Sequence, residues 1–125
     1  MSGRFYANGR RYLKVLLMEP KIIIENLSCT FMICPWDFRV DRKSVLGNLS
    51  HMRNRTEEER IRVCKEYADY FKEMLHGRPE TEFWQMLITL QEALKKYGKL
   101  RLFCWCAPKQ CHVETIRDFL LGKLK

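Results

Sequence analysis

Leu100-Arg-Leu-Phe-Cys-Trp-Cys106 is nearly continuous in apolar character, the signature of a strand buried on both faces. It follows two stretches of helical periodicity. Thr56-Glu-Glu-Glu59 is a capping-box pattern, in which a hydroxyl and a carboxylate satisfy unpaired backbone donors at a helix start. The predicted helix behind it carries Ile61, Cys64, Ala68, Phe71 and Leu75 on one face and stops at Gly77 and Pro79. A second begins near Glu80, with an apolar stripe of Phe83, Leu87, Leu90, Leu94 and Tyr97, and ends at Gly98. Both stripes have the three-to-four-residue spacing of a helix that packs one face.

Upstream, Lys21-Ile-Ile-Ile-Glu-Asn26 is rich in β-branched residues and reads as a strand, and Thr30-Phe-Met-Ile-Cys34 reads as a second, ended by Pro35. The segment from Trp36 to Arg55 is polar and loop-like, with a turn signal at Gly47-Asn48. After Pro108 a last helix is predicted from about Cys111 to Leu124, turning Val113, Ile116, Phe119 and Leu120 inward. The order is thus strand, strand, helix, helix, strand, helix. A strand reached only through helices pairs with an earlier one by a crossover, which implies a parallel pair. The expected fold is α/β: a small, partly parallel sheet of about three strands covered by three helices, Rossmann-like. Residues 1–18 form a basic, peripheral N-terminal extension in this reading, and residues 19–125 a single α/β domain.

Composition agrees with one globular domain. The 125 residues are 46% hydrophobic and 30% charged, and a chain this long buries roughly two-thirds of its unfolded surface. No apolar run approaches the roughly 18 residues that span a bilayer, and no secretory signal is evident, so a cytoplasmic protein with reduced thiols is expected. Of the six cysteines, Cys29, Cys34 and Cys64 stand in apolar surroundings and are read as small core residues. The net charge of +8 favours anionic partners: a nucleotide-like ligand, nucleic acid or an acidic protein. A membrane partner is not expected, and the oligomeric state is not encoded.

Ligands of α/β sheets collect beyond the carboxyl ends of the strands. Two predicted loops leave such ends, 35–55 and 106–110. The second opens into a helix with Cys111 and His112 in its first turn, where unpaired N–H groups and Lys109 favour anions and a thiolate. Cys111 is therefore the candidate nucleophile and the thiol expected to be most acidic, with His112 as acid or base and Cys106 as a third catalytic candidate. Adjacent helical side chains diverge by about 100°, so the base for Cys111 is also sought elsewhere, at His51. In the first loop Arg42 and Ser44 suit a phosphate, and Gly47 lets backbone approach a ligand; Asn48 and Lys109 complete the ligand-binding set. No cofactor is expected. Cys104, Cys106, Cys111 and His112 are four zinc-type ligands, but their spacing is not that of paired metal knuckles. The metal reading therefore ranks last.

Asp41-Arg-Lys-Ser-Val-Leu-Gly-Asn48 and Leu102-Phe-Cys-Trp-Cys-Ala-Pro-Lys-Gln-Cys-His112 together resemble domain-of-unknown-function family 4326, a small bacterial and phage family. Its members show R-x-S-x-L-G-N-P, a helix with basic residues and a tyrosine (Tyr67 here), and a terminal C-x-C-A-P-x-x-C-H. The resemblance covers about residues 20–122, and Leu49 stands where the family has proline. It implies a phage-type domain, in host cytoplasm if phage-encoded, without implying a reaction. The leading expectation is a domain that binds a nucleotide, nucleoside or sugar phosphate, with hydrolysis or group transfer at the Cys/His loop. The alternative is a non-catalytic basic module that binds a host protein or nucleic acid, in a host-takeover or anti-defence role.

Overall fold

A computed structural model describes residues 19–107 and 109–124; the basic extension expected over 1–18 lies outside them. The order of elements is β1 (Lys21–Asn26), β2 (Asp37–Arg39), α1 (Glu57–Met74), α2 (Glu82–Tyr97), β3 (Lys99–Cys104) and α3 (Val113–Leu120). The sheet has the order β1-β3-β2, and both pairings are parallel, with Ile22 opposite Leu100 and Phe38 opposite Leu102. Among the described residues this is the expected α/β fold, with three strands and three helices. The central strand is β3, whose Leu100, Leu102, Phe103 and Cys104 are all buried, as a strand flanked on both edges demands.

The second strand departs from the sequence reading. Thr30 to Cys34 is irregular, with Phe31 85% and Ile33 81% exposed, and the paired segment is Asp37–Arg39. Its place is held by what it meets. The Asp37 carboxylate accepts from the backbone N–H groups of Ile33 and Cys34 and receives a bidentate guanidinium from Arg101 of β3, both contacts at 2.7 Å. Backbone bonds from Arg101 N–H to Trp36 carbonyl and from Val40 N–H to Phe103 carbonyl extend the pairing at either end.

The helices close over one core. In α1 the buried residues are Val63, Cys64, Tyr67 and Phe71, while Ile61 is exposed, so the buried stripe is rotated from the expected one. In α2 they are Phe83, Leu87, Leu90, Ala93 and Leu94. Phe71 meets Phe83 of α2 and Phe119 of α3 edge-on, at 5.2 and 5.5 Å between ring centres. Thr56 caps α1 by accepting from Glu59 N–H, but the capping box is not reciprocal: the Glu59 carboxylate instead accepts from Arg53 N–H. Gly98 ends α2 in the left-handed region, at φ 71°, where glycine carries no side-chain penalty. Cys64 is buried as expected, whereas Cys29 is exposed and Cys34 half-buried, because both belong to the irregular link between β1 and β2. Among the described residues no helix is long and apolar enough to cross a membrane.

Candidate functional site at the carboxyl edge of the sheet

The chain leaves β2 and β3 at the same sheet edge, and the two exits are tied together. Asp41, one residue beyond Val40, is buried. Its carboxylate takes both Arg39 contacts at 2.7 Å and the Trp105 indole N–H at 2.9 Å. These donors, Arg39 first, hold its pKa below the usual 3.8. Asn26 at the end of β1 donates to the carbonyls of Trp105 and Ala107, so all three strand ends converge on residues 104–107.

The loop 40–50 is closed on itself. A Cβ at Gly47 would collide with the Asp41 carbonyl oxygen and the Arg42 Cα. The glycine therefore serves the loop's own backbone, contrary to the expected close approach to a ligand. Ser44 likewise accepts from Leu46 N–H and does not line the cavity described below. The Tyr67 hydroxyl of α1 donates to the Leu46 carbonyl at 2.6 Å. Asn48 is buried, donating to Val63 carbonyl and accepting from Ser50 N–H. Arg42 Nε donates to the Asn48 carbonyl at 3.2 Å, so part of its guanidinium holds the loop.

Between this loop, α1 and the exit of β3 lies a cavity of about 460 Å³, within the size range of small-molecule sites. Its walls combine Met52, Val63, Cys64 and Trp105 with Arg42, Asn48, Arg60, Cys104, Cys106, Cys111 and His112. A second, more open basin of about 890 Å³ adjoins it and shares Arg42, Met52, Arg60, Trp105 and Cys106. That basin adds Arg53, Arg55, Lys109 and His51, and among the described residues no carboxylate lines it. Of the expected site residues, Arg42, Asn48, Cys106, Cys111 and His112 thus share one cavity, Lys109 and His51 lie on the basin, and Ser44 and Gly47 belong to the loop's framework.

The thiol whose surroundings favour the thiolate is Cys106, not the expected Cys111. Cys111 is only 4% exposed, and its neighbours Cys104 and Cys106, together with burial, push its pKa up. The helix start does reach the sulfur, with Val113 N–H donating to Cys111 Sγ at 3.4 Å and lowering the pKa, but the two neighbouring sulfurs and burial outweigh it. Cys106 is half-buried and faces both cavities. Cys104 and Cys111 first, then the Arg60 guanidinium, hold its pKa well below the usual 9.0. Cys104 and Cys111 lie 3.4 Å apart, Sγ to Sγ.

His112 is buried, with Nε2 2.6 Å from the Val40 carbonyl. A carbonyl only accepts, so Nε2 carries the proton and Nδ1 is left as the ring's basic nitrogen. Desolvation lowers the His112 pKa below 6.5, which keeps the ring neutral at pH 7. Among the described residues no three His, Cys, Asp or Glu side chains are disposed to hold a metal ion.

Sequence reasoning overlooked Asp41, Arg60 and Trp105 as members of the site. Asp41 and Trp105 stood inside the two quoted blocks, and their pairing across 64 positions leaves no local signal. Arg60 had one clue, its place in the first turns of α1, from which it donates to the Gln110 carbonyl at 3.1 Å. The model of a family described as a domain of unknown function, DUF4326, matches residues 27–122. No curated protein and no solved structure matches the chain.

Proposed function

We propose a ligand-binding function for this chain, which belongs to the DUF4326 family: it takes a phosphorylated, nucleotide-like small molecule at the carboxyl edge of its sheet. One observation carries the reading. A cavity of about 460 Å³ with largely apolar walls adjoins a basin that, among the described residues, is lined by five Lys or Arg side chains and no carboxylate. A partly apolar molecule with an anionic tail suits that combination, since guanidinium forks match phosphate oxygens. The one carboxylate in the inner cavity, Asp41, is spent on Arg39 and Trp105. Nucleoside phosphates and sugar phosphates share this chemistry.

Cys106, placed where the two spaces meet, is the sulfur available for hydrolysis or group transfer on such a ligand. Cys111 and His112 shape its surroundings from behind. Titration calorimetry of the full chain against nucleoside mono-, di- and triphosphates and hexose phosphates tests the binding. Arg55→Ala and Lys109→Ala are the useful variants, because neither side chain hydrogen-bonds within the fold among the described residues. Each is expected to weaken binding about tenfold, the order of one charge-assisted contact. Equal affinity for phosphorylated and unphosphorylated forms of one ligand overturns the reading.

A second reading has its own observation: Trp105 is 57% exposed beside the basin. An open basic surface with an accessible aromatic suits a single-stranded nucleic acid, with stacking on the indole. The salt dependence argued in the Discussion separates the two.

A further inference from the structure

We propose that Cys104, Cys106 and Cys111 form a thiol–disulfide redox site, in which Cys106 meets the oxidant and Cys104 and Cys111 end as a reversible disulfide. The inference is independent of which ligand the cavity takes. Its first support is distance: the Cys104 and Cys111 sulfurs are 3.4 Å apart, about 1.4 Å beyond a disulfide bond length. Its second is access. Cys104 and Cys111 are buried, Cys106 is half-exposed, and all three line the same cavity, which also opens to solvent through the basin. Cys106 packs partly against the core as well, but unlike the two buried sulfurs it keeps an accessible face on the cavity wall.

The oxidant class is a hydroperoxide. The Cys106 thiolate attacks its terminal oxygen, forming an S–O bond and breaking the O–O bond. Cys106 becomes a sulfenic acid, and the alkoxide leaves and takes a proton from water. The Cys111 thiol then attacks the Cys106 sulfur: an S–S bond forms, the S–O bond breaks, and the thiol proton leaves with the hydroxide as water. Finally the Cys104 thiol attacks the Cys111 sulfur and releases its proton. Cys106 departs as thiolate, the best leaving group of the three because its thiolate is the most stabilised. The products are a Cys104–Cys111 disulfide and a free Cys106. A dithiol of the thioredoxin class returns two electrons and two protons to the disulfide.

The test uses the reduced full chain and one equivalent of hydrogen peroxide. Tryptic cleavage after Arg101, Lys109 and Arg117 puts Cys104 and Cys106 on one peptide and Cys111 on the next. The expected result is a protein lighter by two hydrogens, with those two peptides linked and the link lost to dithiothreitol. In Cys111→Ser a cyclic 1,3-dione is expected to trap sulfenic acid at Cys106. In Cys104→Ser the same two peptides are expected to stay linked, now through Cys106. In Cys106→Ser linkage is expected to slow at least about tenfold, with the loss of the attacking thiolate. Wild-type protein that reaches sulfinic acid at Cys106 without linked peptides overturns the proposal, as does linkage in Cys106→Ser at the wild-type rate. Calorimetry with the nucleotide panel on the same reduced protein reports separately on the ligand reading.

Discussion

At the scale of single residues, the site is organised by side chains that do no chemistry. Tyr67 spans from α1 to the Leu46 carbonyl, and burial raises its pKa, so it remains a neutral donor across the accessible range. Tyr67→Phe leaves that buried carbonyl without a donor, and about 1–3 kcal/mol of stability is expected to be lost, measured by urea unfolding. The same environment decides which thiol reacts. Iodoacetamide alkylation followed by peptide mapping is expected to modify Cys106 well before Cys111 at pH 7. The Cys106 rate is expected to level off at a lower pH than that of an unfolded-chain cysteine, because its neighbours lower its pKa. A Cys111 that reacts first would falsify the ordering of acidities. In the sequence the Cys-rich segment was legible as the part of the chain that lines a cavity at the sheet edge, but the surroundings of each thiol were not. Local spacing placed Cys111 at a helix start, whereas the neighbouring Cys104 and Cys106 sulfurs and burial set its acidity. Those partners are assembled by tertiary structure alone.

At the scale of elements, propensity and pairing disagree at one place. Thr30-Phe-Met-Ile-Cys34 has strand-like composition yet stays unpaired, while the three residues Asp37–Arg39 pair with β3. The difference lies in the Asp37–Arg101 ion pair, in which the Asp37 side chain is 1% exposed. Asp37→Asn leaves Arg101 uncompensated and is expected to cost roughly 3 kcal/mol, read as a lowered urea midpoint. Thr56→Ala removes the hydroxyl that caps α1 and is expected to cost about 1 kcal/mol. A larger effect for Thr56→Ala than for Asp37→Asn contradicts the view that the edge strand rests on its buried charge pair. The helices and the β1–β3 pairing were legible because periodicity and continuous apolar runs are local. A three-residue strand defined by one charge 64 positions away carries no such pattern.

At the scale of the whole molecule, protons and salt probe different parts of the same site. His112 is held neutral by burial, with its pKa below 6.5; the unfolded chain therefore takes up a proton first as pH falls through that value, and stability declines. Asp37 and Asp41 have pKa values lowered from 3.8 by Arg101 and Arg39. Their contribution is complete above that value and lost as pH falls below it. In Cys106→Ser, which removes the pH dependence of the lowered Cys106 thiol, urea midpoints are thus expected to drop in two stages, and a flat profile between pH 6.5 and 5 contradicts the buried neutral imidazole. Salt addresses the basin. The net charge of +8 attracts any polyanion at low ionic strength, so bare affinity for an oligonucleotide decides nothing; its salt slope does. Each phosphate neutralised on a single strand contributes a slope of roughly 0.7 in log affinity against log salt. Five basin cations acting together on a nucleic acid therefore give a slope of about 3 to 4. A nucleotide seated in the inner cavity engages fewer of them and gives a shallower one. The expected outcome, by fluorescence anisotropy and calorimetry between 50 and about 300 mM salt, is a shallow slope for the nucleotide and near-complete loss of oligonucleotide binding at the upper end. Oligonucleotide affinity that survives that range and falls on Trp105→Ala reverses the order of the two readings, because stacking on the exposed indole is insensitive to salt.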